Sequence, residues 1–209
     1  MSSKRAPGSL YPEQTVRVIV PAAVPAIYTN RLYLRPLVME DAADLFEFRS
    51  RQDVADYLWP KVPHKEIQET EHMIATRAFS TPDASGATGR KFTFAVIGKE
   101  DPSGKVIGAV GVNSLAPSPA VGYGIHPDFW GKGYVTEALS AVIDAWWKLD
   151  RKDLETADLE LPPERLFAAC NKANVGSVKV LLKTGFEIYE EIPLEGDIVA
   201  LFEQRRPQN

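Results

Sequence analysis

The spacing of apolar residues along the chain changes between two and three-to-four, and each change marks an element. Leu32, Leu34 and Leu37 in RLYLRPL alternate with larger polar groups, as in a half-buried strand that Pro36 ends or confines to an edge. In MEDAADLFEFRS, Asp41 starts a helix whose inner face is Ala42, Leu45 and Phe46. A second helix is predicted over 65–79, after Pro63, and TPDASGATGR reads as a loop. KFTFAVIG and KVIGAVGVNSL read as two strands joined by a turn at DPSG, and AVGYGI as a third. Beyond the loop HPDFWGKG, residues Val135, Ala138, Leu139, Val142, Ala145 and Trp146 share one face of a helix over 134–148. A charged connection containing proline leads to ERLFAAC, a buried strand. NVGSVKVLLKT is a helix with Asn174 as N-cap and Gly185 just past its end. FEIYEEI and DIVALFEQ follow as strands.

Three consecutive strands predict an antiparallel meander, and the later alternation predicts a parallel crossover. The fold class is therefore α/β (mixed α+β), with a mixed sheet and helices on both faces. Residues 1–26 hold four prolines and no clear period, and read as an extended N-terminal arm, partly disordered or draped on a single domain over 27–209. There are no internal repeats. A chain of 209 residues can bury a sizeable core without disulfides or metals. Its one cysteine, Cys170, allows no internal disulfide and fits a reducing compartment. The net charge of −4 suggests neither a nucleic-acid-binding domain nor a polybasic membrane anchor. No apolar run is long enough for a membrane span, and the basic N-terminus has no apolar stretch behind it, so the expected location is cytoplasmic.

The most informative segment is YGIHPDFWGKGYVTEAL, a strand that enters a loop with Gly131 and Gly133 just before a helix. Glycine lets backbone N–H groups approach a ligand, and a helix N-terminus adds unpaired donors and partial positive charge. Lys132 adds a formal charge, so the loop can cradle a diphosphate; it can equally be a plain glycine turn. Neither GxxxxGK[ST] nor GxGxxG is present.

HPDFWGKGYVTEAL resembles the acetyl-CoA pyrophosphate loop and following helix of GNAT acetyltransferases, closest to the ribosomal-protein N-terminal (RimJ/RimL-like) branch. Gly122, Tyr123, Ile125, Pro127, Trp130, Gly131, Gly133, Tyr134, Glu137 and Ala138 carry the likeness. ACNKANVGSVKVLLKTGF resembles a second motif of the branch through Asn174, Ser177, Lys183, Gly185 and Phe186, and TNRLYLRPLVMEDAADLFEF a third, weaker one. The likeness runs from about Thr29 to Glu203.

This resemblance implies a mostly antiparallel sheet splayed near its centre, with Gly124 at a bulge or close approach. It implies an acetyl-CoA-dependent N-acetyltransferase acting on a primary amine of a small molecule or a peptide or protein N-terminus. The backbone of Tyr123, Gly124 and Ile125 would meet the pantetheine arm, and an N–H there would polarise the thioester carbonyl. Gly131, Lys132, Gly133 and Tyr134 would hold the pyrophosphate, and Asn171 or Asn174 would contact the pantetheine region. Ser177 would hydrogen-bond the leaving thiolate; its other reading is a hydroxyl that caps the helix.

Glu137 reads first as a structural residue of its helix, Trp130 and Tyr134 as loop packing, Cys170 as core, and His126 as a surface residue near the loop. His64, His72 and His126 lack metal-ligand spacing. The general base is unassigned, because Ala120 stands where many members of the branch have glutamate; Asn113 and Ser114 could orient an amine or water. The acidic balance favours a cationic acceptor. Two other readings stay open: an inactive or weak acetyl-CoA-binding sensor or interaction module, and an acyltransferase for longer acyl-CoA. Monomer and homodimer are both compatible with the sequence.

Overall fold

Strands β2 (Leu32–Pro36), β3 (Phe92–Gly98), β4 (Val106–Ser114) and β5 (Ala120–Ile125) form an antiparallel run in that order. The computed structural model describes residues 8–152 and 163–207. A two-residue strand β1 (Ile27–Tyr28) pairs with β2, so β2 is not at the edge and Pro36 simply ends it. After β5 come β6 (Arg165–Asn171), β7 (Glu187–Leu194) and β8 (Asp197–Arg205). Among the described residues the sheet runs β1-β2-β3-β4-β5-β6-β8-β7, and β5 with β6 is its one parallel pair. The expected mixed, mostly antiparallel sheet is therefore present. The sequence-predicted connection before β6 lies largely outside the described residues, at 153–162.

Alternation along β3 feeds two cores. Phe92, Phe94 and Val96 join the larger one, while Ala95 and Ile97 join the other. Helices α1 (Ala42–Arg49), α2 (Gln52–Ala55) and α3 (Ile67–Ala75) gather around the second core. Helix α4 (Tyr134–Trp147) covers the first with Ala138, Leu139, Val142, Ile143 and Trp146, and α5 (Val175–Lys183) adds Leu181.

Several expectations shift. On α1 the buried set is Ala42, Leu45 and Phe48; Phe46 is only half-buried, because spacing by threes carries the inner face to Phe48. The helix predicted over 65–79 is confined to Ile67–Ala75, and four-residue α2 was too short to show a period. Gly124 is not a bulge: it pairs in register with Ala109, and the irregularities fall at Val96/Ile97, Val112/Ser114 and Ile188/Glu190. Residues of the N-terminal arm lie against the sheet, with Val18 and Val20 in the core, and Gln14 exchanging side-chain hydrogen bonds with the backbone of Arg165.

Glu137 ties α4 to the β1–β2 connection. Its Oε1 accepts from the Thr29 hydroxyl at 2.6 Å and the Arg31 N–H at 2.8 Å, and its Oε2 from Arg31 Nε at 2.7 Å. Burial raises its pKa, but these bonds outweigh that and hold it below the ordinary value of 4.5. A depressed carboxylate pKa stabilises the fold above the unfolded-state value, and the gain is lost as pH falls through the folded one. Glu137→Gln should therefore cost about 1–2 kcal/mol at pH 7. In urea titrations at descending pH, the gap to wild type should close below the ordinary value. A gap equally wide at pH 7 and pH 3 would contradict this account.

Candidate active site

Strands β5 and β6 share a single rung, Ala120 with Phe167, and then part. The edge of β5 from Val121 to Ile125 is consequently left without a strand partner, facing the gap. A cleft of about 880 Å³ occupies it, within the roughly 300–1,000 Å³ of small-molecule sites. Tyr123, Gly124 and Ile125 wall one side; Ala168 to Cys170 of β6 and Asn174 to Ser177 wall the other. The Tyr123 hydroxyl spans the gap, donating to the Ser177 carbonyl at 3.3 Å.

At the mouth, the chain turns from β5 into α4 through Gly131 (φ +72°) and Gly133 (φ +79°). These left-handed conformations disfavour any side chain with a Cβ. Gly133 is the N-cap of α4 and no side chain caps the helix, so its first-turn N–H groups stay available. A Cβ built on Gly131 would meet nothing within 4 Å, so the space in front of the loop is open. Lys179 and Lys183 of α5 also line the cleft, and neither forms an ion pair among the described residues. Free donors at a helix start, two cations and an unpaired strand edge suit a long ligand with phosphates at one end and amides along its length.

Of the sequence-predicted residues, Tyr123, Gly124, Ile125, Gly131, Gly133, Tyr134, Asn174 and Ser177 converge on this cleft. Lys132 and Asn171 do not reach its wall. Lys132 is exposed, with Nζ 5.5 Å from the Phe129 ring centroid. Asn171 is buried and accepts the Ala173 N–H at 2.9 Å, closing the turn into α5. Asn174 caps α5 by accepting the Ser177 N–H at 3.0 Å. The Ser177 hydroxyl lines the cleft within hydrogen-bonding reach of the Tyr123 hydroxyl. Trp130 anchors the loop, its indole N–H donating to the Ile125 carbonyl at 2.9 Å. Burial pushes the Cys170 thiol up to about 12, so it stays protonated and unreactive although it touches the cleft.

No Asp, Glu or His lines the cleft among the described residues. Ala120 sits buried at the shared rung. Asn113 lines the wall, while the Ser114 hydroxyl donates to the Ser118 carbonyl at 3.3 Å. His126 is largely buried rather than on the surface, packed edge-on against Phe48 and Phe129; its Nδ1 accepts the Asp128 N–H at 3.2 Å.

Sequence reasoning missed Arg31, whose guanidinium lies 4.4 Å from the centroid of the Tyr134 ring and donates to the Lys132 carbonyl at 3.0 Å. It also missed Arg49, Trp59, Arg77 and Thr93, which line the cleft beyond β5. Arg49 and Arg77 stand at or just past the ends of α1 and α3, where basic residues are ordinary, so no local signal singled them out.

A family profile described as an acetyltransferase (GNAT) domain matches residues 31–187. An uncharacterised N-acetyltransferase of Bacillus licheniformis is 27% identical over 164 residues, 77% of this chain and 82% of that protein. A probable acetyltransferase (GNAT family) from Chromobacterium violaceum superposes with a TM-score of 0.65 at 18% identity, covering 98% of each chain. RimL, a ribosomal α-N-protein acetyltransferase solved with coenzyme A, superposes with a TM-score of 0.62 at 16% identity, covering 87% of this chain and 98% of its own. Among the described residues no helix is long and apolar enough to cross a membrane.

Proposed function

Because the chain belongs to the GNAT acetyltransferase family, we propose that it transfers acetyl from acetyl-CoA directly to the primary amine of a small molecule or of a peptide or protein N-terminus, in the cytoplasm. The cleft between the parted strands β5 and β6 carries this reading, since its two ends and its floor match the parts of one extended ligand.

Acetyl-CoA, the donor that the family implies, would supply an activated acyl group as its thioester. The N–H groups of Gly131, Gly133 and Tyr134 point their partial positive charge at the diphosphate. The free edge of β5 offers main-chain hydrogen bonds to the pantetheine amides, and one N–H there polarises the acyl carbonyl. Asn174 holds the start of α5, and with it Ser177, against the opposite wall. Ser177 then donates its hydroxyl proton in a hydrogen bond to the sulfur as the C–S bond breaks and the C–N bond forms. The proton lost from the amine balances the negative charge on the thiolate.

With no carboxylate or imidazole on the described wall, the amine must arrive neutral or lose its proton to water. That suits an α-amine with a pKa near 8 better than an alkyl ammonium near 10. The same absence favours the second reading, a weakly active acetyl-CoA-binding module.

Acetyl-CoA at about 100 times its Kd should stabilise the protein by roughly 2.7 kcal/mol, with ATP and NADPH as controls. Release of CoA on adding amines then separates enzyme from binding module. A folded protein that acetyl-CoA does not stabilise would sink both readings. Ser177→Ala should lower kcat roughly 10- to 100-fold, with little change in the KM for acetyl-CoA. An unchanged kcat would remove Ser177 from the chemistry.

A further inference from the structure

Beyond β5 the cleft continues under α1, α3 and β3, and the charged side chains there are both arginines. Arg49, at the end of α1, and Arg77, just past α3, line it together with Trp59 and Thr93. Arg49 Nε, Trp59 Nε1 and Thr93 Oγ1 are buried and have no hydrogen-bond partner among the described residues. Buried donors without acceptors are rare and costly, so three on one wall call for an explanation.

Among the described residues no carboxylate lines this wall to supply one. Asp41 pairs with Arg35, Asp44 accepts the Val106 N–H, Glu47 pairs with Lys105, and Glu69 accepts the Lys65 N–H. Arg49 reaches only His64, whose Nε2 lies 3.3 Å from its guanidinium. A guanidinium donates and cannot accept, so His64 Nε2 is the acceptor and Nδ1–H donates to Thr70 at 2.8 Å. His64 is thus neutral toward Arg49 and offers it no countercharge. Burial pushes the Arg49 guanidinium down to about 10, and the charge of Arg77 adds to this. The Arg77 guanidinium makes no hydrogen bond or ion pair among the described residues. Had these arginines served as caps of α1 and α3, their guanidinium groups would bond the terminal carbonyls, and neither does. The net charge of −4 pointed to a cationic acceptor, but the acidic groups lie elsewhere and the acceptor wall is cationic.

We propose that the acceptor is an amine that also carries a carboxylate, held by Arg49 and Arg77, with Trp59 and Thr93 completing its hydrogen bonds. This rests on the acetyl-transfer reading and gives it a substrate class. A planar carboxylate matches the guanidinium fork and takes up the donors left over. A free amino acid presents this group directly, and an acidic side chain near a peptide N-terminus presents the same chemistry.

The test needs no turnover. Free L-amino acids, their carboxamides, and short peptides with Glu or Gln at the second position are titrated calorimetrically into the CoA-loaded protein. At least one carboxylate should bind on the order of 10- to 100-fold tighter than its amide. That preference should vanish in the Arg49→Gln, Arg77→Gln double variant, while CoA affinity and melting temperature show that the variant is folded. Arg49→Lys and Arg77→Lys, which keep the charge and lose the fork, should retain part of it. Preference confined to free amino acids or to the Glu peptides identifies the source of the carboxylate. Equal affinity for acids and amides, or no binding of any carboxylate probe, overturns the proposal. So does a variant that loses CoA instead, since the arginines would then serve the phosphates. A wild-type protein that fails to bind CoA would overturn the acetyl-transfer reading, while the ratio of acid to amide, measured without CoA, still tests this one.

Discussion

Replacing Gly131 and Gly133 together by alanine should abolish acetyl-CoA binding at concentrations that saturate the wild type. Both residues have positive φ, +72° and +79°, and an alanine there costs roughly 1–2 kcal/mol per residue. The loop is exposed and can relax, so most of that strain will be relieved by rotating the backbone. Rotation turns the N–H groups of the first turn of α4 away from the cradle. Losing two hydrogen bonds to a charged diphosphate, at about 1.5–3 kcal/mol each, amounts to roughly 10²- to 10⁴-fold in Kd. Calorimetric titration reads the affinity, and a melting curve shows that the fold survives. Gly133→Asn is the informative companion, because asparagine tolerates the left-handed region, and it should bind far better than the double alanine variant. Wild-type affinity in the double variant would exclude the loop as the anion site.

The largest loss of stability is expected from Trp146→Ala. Trp146 is fully buried at the last turn of α4, edge-on to Phe92 with centroids 5.2 Å apart. The Arg151 guanidinium lies 5.7 Å from its ring centroid and donates to its carbonyl at 3.1 Å. Emptying that volume should cost about 3–5 kcal/mol, a large share of the roughly 5–15 kcal/mol that holds a domain folded. Trp146→Phe should cost far less, because the indole N–H is buried without a partner among the described residues and phenylalanine removes it. Urea unfolding of both variants checks this, and a Trp146→Ala loss below about 1 kcal/mol would place the weight of the core elsewhere.

The part of the cleft legible in the sequence is the part built from contiguous residues. A strand, two glycines and a helix start follow one another from Tyr123 to Tyr134, and Asn174 stands three residues before Ser177. Local backbone physics sets those features, so their order along the chain is their order in space. The acceptor wall is different. Arg49 and Thr93 come from two elements, Arg77 from the turn after α3 and Trp59 from a loop, and only packing against the second core brings them together. An unpaired buried donor leaves no mark in a sequence. Phe46 and Phe48 illustrate the same limit on a smaller scale. Both fit a helical face, Phe46 four residues after Ala42 and Phe48 three after Leu45, and packing on the second core continues the spacing by threes to Phe48. The parting of β5 from β6 was implied by family likeness, whereas the bulge that accompanies it lies in β4 rather than at Gly124.

The position of β8 bears on how this protein is made. The strand is late in the chain, yet it lies between β6 and β7 and pairs with both along their length. While a ribosome is still adding residues up to 205, β6 and β7 have no neighbour in common. Domains otherwise tend to gain structure from the N-terminal side during synthesis. Here the meander from β2 to β5, with its glycine loop, can assemble early, but the wall bearing Ser177 has no supporting sheet until β8 is threaded between its neighbours. A truncation into β8 would likewise remove a central strand and not trim an edge. The cleft is therefore completed by almost the last residues described, and a nascent chain holds half a site.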